Sequence, residues 1–287
     1  MNALAPPPVA ATTARPIIHR TRGQTHGPIT RLASPGDVGG LIKPFVFLDY
    51  IRIAGGRGPG FGWHPHSGIA TLTFMLEGDM RYADSTGETG VLEAGGLEWM
   101  NAGGGVWHTG GPAEPHKPVN ARGFQLWVAL PADQELAPPR SQYVPAADVP
   151  VRGPARVLLG EHEGAVSPID APAGMTYLAV SLKAGERWRY QPPAGQTAAW
   201  IALFEGEAAT PERLRDGDLA VFAPGEGEIT VEAVTDAGFI LGSATPHPHE
   251  LALGYYSVHT SPRALALGEA GIERVGARLR AEGVIAR

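Results

Sequence analysis

Cysteine is absent from the 287-residue chain. Disulfides, thiolate zinc sites, iron–sulfur clusters and cysteine nucleophiles are therefore excluded together, although the absence says little about compartment. Lysine is scarce: apart from Lys43, Lys117 and Lys183, the other 20 of the 23 basic residues are arginine. The formal net charge is −6 and no Lys/Arg block stands out, so the electrostatic footprint of a nucleic-acid binder is missing. No apolar run approaches the length that crosses a bilayer. Residues 1–14, rich in Ala, Pro and Thr, have neither the basic start nor the apolar centre of a secretory signal. The expectation is a cytoplasmic protein with a disordered tail over 1–14 and neither membrane nor nucleic acid as partner.

Glycine and proline are abundant instead, at 39 and 27 residues. No collagen-like period organises them, so they mark many turns and hence many short strands. With 43% apolar residues the chain can bury a sizeable core, and its length suits two domains. Runs such as 69–76 (IATLTFML), 123–130 (GFQLWVAL), 175–182 (MTYLAVSL) and 200–204 (WIALF) have β-type composition. Turn signals separate them, among them Asp84-Ser85-Thr86-Gly87, Ala94-Gly95-Gly96 and Asp216-Gly217-Asp218. Two segments read as helical. One is short, at 146–148; the other covers 269–282, where Ile272, Val275 and Leu279 share a face and are expected to pack against a barrel. A proline-rich linker is expected at 136–154.

An internal repeat organises the rest. Residues 74–79 (FMLEGD) align with 202–207 (ALFEGE), an offset of 128, and 92–97 (LEAGGL) align with 214–219 (LRDGDL), an offset of 122. Two copies of one β unit predict an all-β, duplicated barrel, divided as 15–135, 155–260 and a helical segment at 261–287.

The first copy carries His64-Pro65-His66 and, later, His108. Residues i and i+2 of a strand share a face, so His64 and His66 can both aim into a barrel, and a third imidazole from an adjoining strand would complete a metal set. The 128 offset places Gln191-Pro192-Pro193-Ala194 in the second copy, where both histidines are gone. Imidazoles are thus concentrated in one of two otherwise similar units. Histidines that merely pack would not need to segregate in this way, so the first barrel is the functional one and the second, over 155–255, is expected to hold no metal.

Residues 64–80 (HPHSGIATLTFMLEGDM), 83–92 (ADSTGETGVL) and 95–108 (GGLEWMNAGGGVWH) resemble the signature of the pirin family, within the cupin superfamily. Phe45–Tyr50 upstream and Phe124–Trp127 downstream extend the likeness, which covers roughly residues 20–282. The resemblance implies a bicupin, two double-stranded β-helices with a short C-terminal helix, and one divalent metal, Fe(II), in the N-terminal barrel. It also implies quercetin 2,3-dioxygenase-like activity on a small aromatic substrate, or else a regulator whose metal state changes the surface seen by a protein partner. His64, His66 and His108 match the family's metal-binding histidines. The family's fourth ligand, a Glu two residues after the third histidine, is Gly110 here. Without it the site loses a ligand and a built-in base, and a barrel without metal becomes a third reading.

Glu114 and His116 follow closely and are weighed as substitutes, against the tendency of such loops to run over the surface. Glu98 flanks Trp99 and is expected to be a surface carboxylate; His26 is an outsider. His247-Pro248-His249 repeats the H-x-H spacing without a third partner and reads as a loop feature. Trp63 and Trp107, each preceding a histidine, are expected to point away from the histidine face. Core filling accounts for at least half of the group Trp63, Trp99, Trp107 and Trp127, and Phe74 reads as a contact for a planar aromatic ligand.

Overall fold

The computed structural model describes residues 15–56, 60–114 and 117–286. The tail expected at 1–14 and the substitute ligand His116 lie outside them. The chain forms two barrels of the same construction. In the first, a seven-stranded sheet containing Phe45–Gly56, Ile69–Glu77, Leu97–Asn101 and Val119–Ala129 faces a four-stranded sheet containing Phe61–His66 and Val106–Pro112. In the second, Met175–Leu182, Ala198–Glu205, Leu219–Phe222 and Ala237–Ala244 occupy the matching places in a seven-stranded sheet, opposite a four-stranded sheet with Arg187–Tyr190 and Ile229–Ala233. This is the bicupin architecture.

The two large sheets pack back to back. Trp99, Phe124 and Phe45 of the first join Tyr177, Trp200 and Phe204 of the second in one apolar cluster. Each large sheet is therefore buried on both faces, which is why its strands read as continuous apolar runs and not as alternating ones. The barrel interiors differ. The second is filled by one apolar cluster that includes Trp188, Tyr190, Leu203 and Phe239. The first has two separate apolar clusters, one around Met100 and Trp127 and one around Met75 and Leu92.

Chain boundaries do not follow the barrels. The edge strand Ile17–Thr21, assigned above to the first barrel, pairs with Leu219–Phe222 of the second. The expected linker contributes Arg140–Val144 to the edge of the first barrel beside Leu97–Asn101, with a 3₁₀ turn at Ala146–Asp148. Both strands close an edge that would otherwise expose unpaired backbone. The hairpin Ala252–Gly254/Ser257–His259 lies on the first barrel, where Ser257 bridges Ser67.

The final helix runs over Pro262–Ala281, about two turns earlier than its apolar spacing suggests. Ser261 caps it by accepting from the Ala264 amide at 3.2 Å, and Pro262 fits the first turn, where an amide hydrogen is not needed. Its first half is hidden from an apolar count because its inward residues, Ala264, Gly268 and Gly271, are small. A Cβ on Gly271 would stand 1.8 Å from the Gly104 carbonyl oxygen, so the helix touches barrel backbone there. Ile272 and Leu279 are buried, whereas Val275 is only half-buried. The Trp107 indole donates to the Ile272 carbonyl at 2.9 Å, fixing the helix behind the strand that carries His108.

Candidate metal centre

Phe61–His66 and Val106–Pro112 are antiparallel neighbours, with His64 directly opposite His108 and His66 opposite Val106. Strand alternation puts His64 and His66 on one face, and the register sets His108 beside them. The three rings converge as a group able to hold a metal ion, their ligand atoms all within 4.8 Å of one another. His108 Nε2 lies 2.8 Å from His64 Nε2 and 3.1 Å from His66 Nε2. Two nitrogens bound at about 2.0–2.2 Å to one ion stand roughly 2.8–3.1 Å apart when they subtend a right angle.

The proton inventory also suits an ion. The Nδ1 of His64 donates to the Gly62 carbonyl at 2.7 Å, and that of His66 to the Tyr256 carbonyl at 3.1 Å. A carbonyl only accepts, so both neutral rings present Nε2 as a bare lone pair. His108 has at most one hydrogen on its Nε2 and faces two such lone pairs. Extra protons are disfavoured: burial, with the neighbouring imidazoles, pushes His66 down to about 3 and His108 well below its ordinary value. Burial lowers His64 as well. A metal cation satisfies all three lone pairs together, and the donor set fits one.

The site opens into a narrow cavity between the two sheets of the first barrel. Ile51, Phe61, Met80 and Leu92 give it apolar walls, and Gly110 lines it beside His108. Glu98 corrects the sequence reading. It is 6% exposed and lines this cavity, because both faces of its strand are interior and its neighbour Trp99 takes the core between the barrels. Burial is the main reason its carboxyl is raised to about 7; nearby Asp84 adds to the shift, and Thr73 opposes it through a hydrogen bond. Phe74 is corrected in the opposite sense. It is buried in the core between the barrels, and its neighbour Thr73 faces the cavity.

Trp107 points away from the histidines to the helix, as expected, and Trp63 is half-buried and does not line the cavity. Trp127 packs edge-on against His66, with ring centroids 4.9 Å apart, and stacks on Phe47. Glu114 is exposed and paired with Lys117 at 2.7 Å, and His26 is exposed, so neither joins the site. His247 rests against the Leu130 carbonyl at 3.3 Å in a loop, with His249 exposed beside it. Sequence reasoning missed Thr73, Gln125 and the Tyr256 carbonyl as parts of the site. Polar residues interrupting apolar strands were the available signal for the first two.

The family model for pirin matches residues 30–128, which span the histidines. A pirin-like protein of Caulobacter vibrioides is 33% identical over 246 residues, covering 81% of this chain and 88% of that one. The chain belongs to the pirin family. A Pseudomonas aeruginosa protein named as a candidate quercetin 2,3-dioxygenase is 30% identical over 231 residues, covering 76% of this pirin-family chain and 81% of its own. The crystal structure of a quercetin 2,3-dioxygenase from Acinetobacter baumannii superposes with a TM-score of 0.79 at 24% identity, over 91% of this chain and 95% of that one, and shows the shared fold.

Proposed function

We propose that this pirin-family protein is a metal-dependent oxidoreductase that uses dioxygen on a small phenolic or enolised aromatic substrate. One divalent transition metal, assigned as Fe(II) on the family resemblance, would be held by His64, His66 and His108. The observation that carries the reading is the convergence of three ring nitrogens, two of them with Nδ1 committed to backbone carbonyls. The candidate quercetin dioxygenase among the relatives supports the substrate class.

When bound, the ion would act as a Lewis acid toward a substrate oxygen and supply redox chemistry with dioxygen. The chain's own residues do the rest. The Gly62 and Tyr256 carbonyls hold two rings in the ligating tautomer. Ile51, Phe61, Met80 and Leu92 exclude water and favour a flat apolar ring. In this reading Gly110 removes the negative charge that other members place beside the ion, leaving three neutral ligands. Affinity should then be modest, and purified protein only partly loaded.

Elemental analysis of tag-free protein, set beside a His108→Ala variant of matched circular dichroism, tests the centre. Substoichiometric metal that disappears in the variant supports it, and equal metal content in both defeats it. Oxygen consumption with a panel of flavonols under air then tests the activity; a fully loaded protein that consumes none is not this enzyme.

A further inference from the structure

The duplication supplies an internal control for the cavity. In the first barrel, Glu98, Thr73, Gln125 and Asp49 are successive cross-strand partners, a polar row across four adjacent strands of the large sheet. The same register in the second barrel runs Ala220, Ile201, Leu241 and Leu178. Those four residues are part of the apolar cluster that fills the second barrel. Cross-strand partners point to the same face, and Glu98, Thr73 and Gln125 all line the cavity that His64 and His108 open into. An apolar row therefore satisfies this fold. A buried carboxylate costs free energy that folding alone does not require, and such groups mark functional sites.

We propose that Glu98 is the acid–base residue of this cavity, accepting the hydroxyl proton of a phenolic or enolic substrate seated between the two sheets. The inference rests on the reading of the cavity as a substrate site. The O–H bond of the substrate breaks and a new O–H bond forms on a Glu98 carboxylate oxygen. The electron pair stays on the substrate oxygen as a phenolate or enolate, and the proton is returned when the product leaves. No electron is transferred in this step.

Glu98 is the one carboxylate lining the cavity among the described residues, and it enters from the sheet opposite the three histidines. The groups facing it are Thr73, which hydrogen-bonds it, Tyr143 as its cross-strand neighbour, Asp84, and the cavity residues Gln125 and Tyr82. Asp84 is occupied by Ser141 at 2.7 Å, by the Thr86 amide at 2.8 Å and by the Thr86 hydroxyl at 2.5 Å. That leaves Glu98 to exchange the proton. Its raised affinity for protons places it near neutrality, where a group can both take and return one.

The test compares wild type, Glu98→Gln and Glu98→Asp, each loaded with Fe(II), using the flavonol kaempferol as probe. Metal content is read by elemental analysis, and ionisation of bound kaempferol by its absorption between pH 5 and 9. Infrared spectra without ligand follow a carboxylic acid band over the same range. The expected result is unchanged metal in all three proteins and loss of the near-neutral carboxylic band in Glu98→Gln. Kaempferol should ionise on wild type but not on Glu98→Gln, whose turnover should fall about 10²–10⁴-fold, with partial recovery in Glu98→Asp. An unchanged ionisation profile in Glu98→Gln overturns the proposal. Loss of metal in Glu98→Gln also overturns it, by making Glu98 a ligand. Metal without kaempferol binding overturns the substrate class and the proton transfer together, whereas wild type unable to hold metal overturns the reading on which both rest.

Discussion

His66 donates its Nδ1 hydrogen to the carbonyl of Tyr256, 3.1 Å away and 190 residues later in the chain. Tyr256 adopts φ 54°, a left-handed conformation uncommon outside glycine and worth a cost where it recurs at sites. The hairpin presenting it is fastened to the first barrel by a buried chain of polar contacts. Ser67 Oγ meets Ser257 Oγ at 2.9 Å and His259 Nε2 at 3.0 Å, while His259 Nδ1 meets Glu135 at 2.9 Å. Glu135 also accepts from the Thr260 amide at 2.7 Å. The C-terminal segment thus orients one ring of the histidine cluster from outside the strands that carry it.

His259→Ala should weaken both stability and metal retention. It leaves the Glu135 carboxylate, 3% exposed, without its imidazole donor, and a hydrogen bond to a charged group contributes about 1.5–3 kcal/mol. Urea melts should show the lost stability, and elemental analysis of the fraction still folded should show less metal. A folded variant with wild-type metal content would separate the hairpin from the centre.

Metal-stripped protein should lose stability as pH falls below about 6.5. His66, depressed to about 3, and His108, well below its ordinary value, stay neutral in the fold but take up protons when unfolded. The unfolded state then binds more protons, so stability falls with pH by about 1.4 kcal/mol per pH unit for each such histidine. For His66 the window extends from about 6.5 down to about 3. Melting temperatures of chelated protein across pH 5–7 should drop steeply, and the slope should flatten in a His66→Gln variant. Equal slopes would show that these imidazoles are not held neutral.

Glu98 should show the opposite dependence. Its folded carboxyl, raised to about 7, binds a proton more tightly than the unfolded one near 4.5. Stability from this group is present at low pH and lost as pH rises from about 4.5 through 7, amounting to roughly 3 kcal/mol. Glu98→Gln keeps the shape and removes that dependence, so it should be more stable than wild type at pH 8, with the gain fading toward pH 5. Chemical denaturation at both pH values measures it. A variant less stable than wild type at pH 8 would identify Glu98 as a structural carboxylate.

The bicupin fold and the three histidines were legible because they rest on signals local to a strand or repeated along the chain. Turn residues punctuate the strands, the two copies share an offset, and alternation alone puts His64 and His66 on one face. Glu98 and Phe74 were misplaced for a single reason. Alternation says that neighbours face opposite ways, but not which face meets which interior, and here the large sheet is buried on both sides. Comparison of the copies held the answer, since Thr73 and Glu98 correspond to the paired Ile201 and Ala220. The start of the helix at Pro262 and the crossing of Ile17–Thr21 to the second barrel depend on close glycine contacts and on open sheet edges. Apolar periodicity records neither.

Gly110→Glu should place a charged ligand beside an ion held by the three histidines. Gly110 lies two residues after His108 on the same strand and lines the cavity. A Cβ there would meet only the Arg81 carbonyl oxygen and Met80 Sδ, both at 3.4 Å, so the backbone accepts a side chain with little adjustment. In metal-free protein the new carboxylate is partly buried without a partner and should lower stability by about 1–3 kcal/mol. In loaded protein it adds a negative charge to three neutral imidazoles, and a tenfold gain in affinity, about 1.4 kcal/mol, is a conservative expectation. The two effects predict a larger metal-induced rise in melting temperature than in wild type and a slower loss of metal to a chelator. Unchanged retention would place the ion, if any, away from the face that His108 and Gly110 share.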